Sequence, residues 1–263
     1  MSHDIDKLLS IMAQLRDPDN GCPWDRQQTF HSLTPYTLEE AYEMVETIER
    51  DSFDELPAEL GDLLFQIVFY AQLGKEQQRF DFSDIVNAIC EKLVRRHPHV
   101  FADAQVADAE EQSRLWEQHK AEERQQQAAQ QTPHWLDGIS HALPAMTRAM
   151  KLQKRAAQAG FDWPDHHGVM EKIAEELDEV RQALATGDQV NLAEELGDVL
   201  FSCVNLVRHC QQDPESVLRA CNTRFQQRFN RMEDLLNQQQ GLDKAEPAQM
   251  ETIWAQVKRD KQP

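Results

Sequence analysis

At 263 residues the chain has the length of two domains of about 130 residues or of one large domain, and 40% apolar with 28% charged residues excludes disorder throughout. Its 46 acidic and 27 basic residues leave a formal net charge of −19, a surface that disfavours nucleic-acid polymers and anionic membranes as partners. Cys22, Cys90, Cys203, Cys210 and Cys221 are odd in number and irregularly spaced, which predicts reduced thiols, not a disulfide framework or a zinc knuckle.

The opening residues are polar and acidic, unlike a signal peptide, and the most apolar runs, 63–73 and 199–207, are about half the length of a membrane span. The expected location is the cytoplasm. From the start the periodicity is helical: Ile5, Leu8, Leu9, Met12 and Leu15 fall on one face. Only 9 glycines and no sustained two-residue alternation predict an all-α fold. Thr37, before Leu38-Glu39-Glu40, reads as a helix start, as does Ser52 with Glu55 three residues on, a capping-box pattern. Between Ala121 and Ser140 the periodicity lapses into a glutamine-rich stretch ending near Pro133. The expected organisation is a helical domain over 1–125, a linker over 126–140 and a second helical domain over 141–263.

The chain repeats itself. Glu39-Glu40-Ala-Tyr-Glu43 recurs as Glu175-Glu176-Leu-Asp-Glu179, and Glu59-Leu-Gly61-Asp62-Leu-Leu-Phe65 recurs as Glu195-Leu-Gly197-Asp198-Val-Leu-Phe201, both at an offset of 136. Gly21-Cys-Pro-Trp24 answers Gly160-Phe-Asp-Trp163, and Trp116 with Lys120 answers Trp254 with Lys258, at offsets of 139 and 138. This is a tandem duplication of one helical domain.

On a helix, residues three apart share a face, so Glu40 pairs with Glu43 and Glu59 with Asp62. A short link through Asp51, Ser52 and Asp54 makes the two helices antiparallel neighbours, and their four carboxylates converge. In the second copy Glu176, Glu179, Glu195 and Asp198 converge likewise, with Thr186-Gly187-Asp188 as the turn. Two carboxylates about 4–5 Å apart repel by roughly 3–4 kcal/mol at an effective dielectric near 20. A hard divalent cation removes that repulsion. All-oxygen ligation favours Mg²⁺ or Mn²⁺, and the Glu-x-x-His pair of di-iron bundles is missing. Single E-E-x-x-E patterns are usually solvated helix faces. Here the acids lead into an apolar run, which predicts that they border a buried face. Gly61 and Gly197 each cost about 1 kcal/mol in a helix interior, which predicts the close approach of a backbone or ligand.

E-E-x-x-E followed by E-L-G-D and an apolar run resembles the MazG family of nucleoside triphosphate pyrophosphohydrolases in its long, two-domain form. The Gly-Cys-Pro-Trp opening, Arg95-Arg96-His97-Pro98-His99-Val100-Phe101 and Trp254 with Lys258 extend the likeness over nearly the whole chain. The resemblance implies a homodimer of all-α bundles and Mg²⁺-dependent hydrolysis of nucleoside triphosphates to monophosphate and pyrophosphate. It implies metal ligation by Glu176, Glu179, Glu195 and Asp198, with Glu40, Glu43, Glu59 and Asp62 as a second set, and a catalytic C-terminal copy. Glu175 is the spare carboxylate for orienting or deprotonating water.

Asn222, Arg224, Arg228 and Lys258 are expected to bind the substrate, with arginine at 224 where the family usually has lysine. The corresponding cations of the first copy are Lys92, Arg95 and Arg96. Trp254 is expected either to stack on a base or to dock the last helix, and Trp24 and Trp163 to shape or anchor matching loops. Single-domain dUTP or phosphoribosyl-ATP hydrolases and a non-catalytic Mg²⁺-nucleotide-binding regulator are the rival readings.

Overall fold

The computed structural model describes residues 2–102, 108, 115, 134–239 and 241–260. Every regular element among them is helical, in two compact units that divide between residues 121 and 122. The first unit contains α1 (Ser2–Leu15), α2 (Pro23–Gln27), α3 (Thr34–Glu49), α4 (Leu56–Glu76), α5 (Phe82–Arg96) and α6 (Pro98–Phe101). The second contains α7 (Ala145–Gln158), α8 (His166–Thr186), α9 (Gln189–His209), α10 (Pro214–Asn237), a 3₁₀ turn (Leu242–Lys244) and α11 (Pro247–Arg259). Trp116, Lys120 and the linker residues 126–133 lie outside the described residues.

In the first unit α1 lays its periodic face on α4, and Met12, Leu33, Val68, Phe69 and Leu73 close the core. Phe69 also carries the guanidinium of Arg16, 5.4 Å from its ring centroid, and Arg16 forks onto Glu76 at 2.6 and 2.8 Å. That charge-assisted pair lowers the Glu76 pKa and ties the end of α1 to the end of α4. The second unit packs α8 against α9, its most extensive pairing, and closes a core of Met232, Leu236, Ile253 and Val257 between α10 and α11.

Helix starts differ from the sequence expectation where proline intervenes. The third helix begins at Thr34, with Pro35 in its first turn, so Thr37 lies inside it and donates to the Leu33 carbonyl at 3.1 Å. The fourth begins at Leu56, with Pro57 in its first turn, and its N-cap residue Glu55 makes no side-chain cap. A proline fits the first turn because its missing N–H has no helical acceptor there. Ser52 therefore stays in the connection, where its carbonyl accepts from the Glu55 N–H. In the second copy the turn is as expected: Gly187 takes φ +72° at the end of α8, and Asp188 caps the N–H groups of Val190 and Asn191 at 3.0 and 3.2 Å.

Residues 134–140, expected to end the linker, dock on α7. Trp135 Nε1 donates to the Arg155 carbonyl at 2.7 Å, Arg155 donates to the Asp137 carbonyl, and Ile139 is buried. All five cysteines are free thiols, and no described helix is long and apolar enough to cross a membrane.

Candidate active site

The short turn at Gly187 reverses the chain, so the E-E-x-x-E face of α8 meets the opening turns of α9. Carboxylate oxygens of Glu176, Glu179 and Glu195 then lie within 4.8 Å of one another. The first copy builds the same triad from Glu40, Glu43 and Glu59 on α3 and α4. Asp198 and Asp62, expected as fourth members, are not in these groups. Each sits one turn further along its helix than the triad glutamate. Asp62 is still close enough to act on Glu40.

Crowding raises the pKa of one carboxylate in each triad. Glu40 has a raised pKa, chiefly from burial and then from the charges of Asp62, Glu43, Glu39 and Glu59. Glu179 is raised first by its hydrogen bond with Glu176, then by burial and the charge of Glu195, while Lys172 opposes the shift. Glu176 is the buried member, with 4% of its surface exposed. Sequence reasoning missed Lys172, whose Nζ lies 2.8 Å from Glu176 Oε1 and 2.9 Å from Glu175 Oε1. The spacing i, i+3, i+4 was the available signal. Glu175 itself is exposed, outside the triad and bound to that lysine.

The basic residues converge elsewhere in the second unit. Arg224 and Arg228, joined by Arg231 one turn further on, line a cavity of about 240 Å³ with Lys258 and Asp260, over the buried Val257. Arg231 and Asp260 are 3.5 Å apart. Arg231 was also missed, although i, i+4, i+7 spacing from Arg224 puts all three arginines on one face of α10. Four cations against one carboxylate form a pronounced positive site on a chain of net charge −19.

Asn222, on the same helix, is exposed. Trp254 is half-buried: its ring centroid is 5.4 Å from that of Phe225, and it packs on the Met232–Leu236 core. That placement docks α11, and it brings the exposed Phe225 ring beside Trp254. Trp24 meets Tyr36 edge-on at 5.5 Å, whereas Trp163 lies against Gly168, where an added Cβ would meet its ring at 2.4 Å. Both tryptophans thus brace their loops on the following helix.

Two sequence expectations change. A Cβ on Gly61 or Gly197 would meet no other described residue within 4 Å, which leaves a ligand, not a described backbone, as the close approach expected there. The face that the acids border is buried only in part: Leu60 and Leu64 of α4 are exposed, as are their counterparts Leu196 and Leu200 of α9, whereas Val68, Phe69 and Val204 further along are buried. Burial on these helices begins further along, at Gln66 and at Ser202.

Fold and clusters together define a class: tandem all-α proteins with a carboxylate site, fit for a metal ion, on a helix pair of each unit. The sequence pattern of the MazG nucleotide pyrophosphohydrolase domain matches residues 28–101 and again 165–231, and the chain belongs to the MazG family. It is 50% identical over 263 residues to a nucleoside triphosphate pyrophosphohydrolase of Escherichia coli K12, covering 98% of both chains. It is 44% identical over 232 residues to the nucleoside triphosphate pyrophosphohydrolase/pyrophosphatase MazG of Thermotoga maritima, covering 88% of this chain and 86% of that one. An uncharacterized Bacillus subtilis protein, YabN, is 37% identical over 97% of this chain and 52% of its own length.

Proposed function

We propose that the chain hydrolyses nucleoside triphosphates to monophosphate and pyrophosphate with Mg²⁺ or Mn²⁺, with broad base specificity, as a homodimer in the cytoplasm that controls nucleotide pools. The observation that carries this reading is the glutamate triad, built twice at the same register and accompanied in the second unit by a cavity of four cations. The donors fit the ion: three carboxylates offering hard oxygen ligands within 4.8 Å, one of them buried.

Glu176, Glu179 and Glu195 would hold Mg²⁺, with Asp198 completing the set. When bound, the ion neutralises phosphate charge and makes a water more acidic. Glu175, beside the triad and paired with Lys172, orients the attacking water. Arg224, Arg228 and Lys258 take the negative charge of the triphosphate, and Asn222 donates to the same chain of phosphates. Trp254, with Phe225, offers its aromatic surface to the base. Stacking on such a surface tolerates any base, which supports broad specificity.

The C-terminal copy is the hydrolase in this reading, because it pairs a triad with the arginine row of α10. The homodimer is supported by the exposed leucines that recur at equal register beside both triads, Leu60 with Leu196 and Leu64 with Leu200. The test is turnover of the eight common nucleoside triphosphates with Mg²⁺ and with EDTA, with pyrophosphate and orthophosphate measured separately. Mg²⁺-dependent monophosphate and pyrophosphate are expected. Orthophosphate release, or turnover that persists in EDTA, refutes the assignment.

A further inference from the structure

The second triad is the more buried of the two, and it differs from the first also in the cation beside it. In the second, a lysine one turn before Glu175-Glu176 reaches both: Lys172 Nζ is 2.9 Å from Glu175 and 2.8 Å from Glu176. Its side chain is 32% exposed and that of Glu176 is 6% exposed, so a partly exposed ammonium closes over a buried carboxylate. At the equivalent register of α3, an offset of 136, the first copy carries Tyr36, whose ring is engaged edge-on with Trp24. Tyrosine brings no positive charge to Glu40.

One oxygen of Glu176 accepts from the ammonium at 2.8 Å, and the carboxylate keeps a second oxygen for an ion. A divalent cation drawn to the triad meets a like charge within a few ångströms, which opposes its binding there. The lysine keeps an alternative partner: Glu175 lies outside the triad, so the ammonium can retain that contact while releasing Glu176.

We propose that Lys172 is a resident counter-cation of the second triad, a positioning residue that competes with the divalent ion for Glu176 and retreats to Glu175 when the ion binds. This rests on the reading of the triad as the metal site. Lys172 keeps the buried carboxylate paired and aimed when no ion is present, and it lowers the affinity of this copy for a lone cation. The first copy lacks the device. Equal motifs therefore have unequal ion affinities.

The experiment is Mn²⁺ binding to the substrate-free full chain, followed by the spectroscopic signal of the free ion, in a Glu40→Gln background that silences the first triad. Lys172→Gln in that background is expected to lower the Mn²⁺ dissociation constant by at least about threefold, the size that removing one partly exposed competing charge gives. Lys172→Arg is expected to stay near the parent. In the Glu40-intact chain, the midpoint of Mg²⁺ activation should move to lower concentration with Lys172→Gln. Unchanged or weaker Mn²⁺ binding in Lys172→Gln overturns the proposal and leaves the lysine a packing role. Should Glu176→Gln fail to alter Mn²⁺ binding in the same background, the metal-site reading falls and takes the proposal with it.

Discussion

Glu176→Gln is the most discriminating substitution, because Glu176 is the buried member of the triad and its amide isostere fills the same space. Its effect on the ion-free fold is small. The change removes the charge that pairs with Lys172, a contact of the i, i+4 kind worth about 0.3–1 kcal/mol when partly exposed. The amide oxygen still accepts from the ammonium, and Lys172 still holds Glu175. Like-charge repulsion from Glu179 and Glu195 falls at the same time. Stability without metal should therefore change by no more than about 1 kcal/mol, a shift in Tm of a few degrees. With Mg²⁺ the two proteins separate. An ion at ten times its dissociation constant stabilises the wild type by about 1.4 kcal/mol, and Glu176→Gln should show almost none of that gain. Hydrolysis should fall at least about a hundredfold, since even groups that only orient a metal ligand are worth 10–100-fold. The assay is thermal unfolding with and without Mg²⁺, alongside pyrophosphate release and far-UV circular dichroism. A variant that keeps both its Mg²⁺ shift and more than a tenth of the wild-type rate would refute the reasoning.

Arg228→Ala removes one of four cations lining the cavity of α10 and α11. Losing a charged hydrogen bond to phosphate should lower kcat/KM by about 10- to 150-fold, with Arg228→Lys intermediate, and an unchanged kcat/KM would remove this cavity from the substrate site. Glu40→Gln should leave the hydrolysis rate little changed, because the proposed hydrolase is the second copy. It should also alter the dependence of stability on pH. The folded chain holds the Glu40 proton above the pH at which the unfolded chain releases it, so wild-type stability declines as pH rises from the ordinary glutamate range through the raised folded value. In metal-free buffer the variant should then unfold at a higher temperature than wild type at neutral pH and at the same temperature below the glutamate range. A lower Tm at neutral pH would contradict the assigned crowding.

Much of this protein is set by local rules that can be read along the chain. Helical periodicity and scarce glycine fix an all-α fold, and the offset of 136 reveals the duplication. The i, i+3 spacing of Glu176 and Glu179 and the short turn at Gly187, which sets Glu195 opposite them, can be read from helix and turn geometry. Helix starts were legible less well. Pro35 and Pro57 occupy first turns, so Thr37 and Ser52 are displaced from the caps their types suggest.

Tertiary structure decided the rest, since distance, burial and charge balance depend on what lies across the groove. It left Asp198 and Asp62 outside the triads and buried Glu176 beside Lys172. It assembled a basic cavity from residues 30 positions apart in sequence, Arg228 and Lys258, because α11 folds back onto α10 over Met232, Leu236, Ile253 and Val257. It also left Leu60, Leu64, Leu196 and Leu200 exposed, and no other described residue within 4 Å of a Cβ at Gly61 or Gly197. A sequence pattern says which side of a helix is apolar, but only the packed chain determines how much of that side its own neighbours cover.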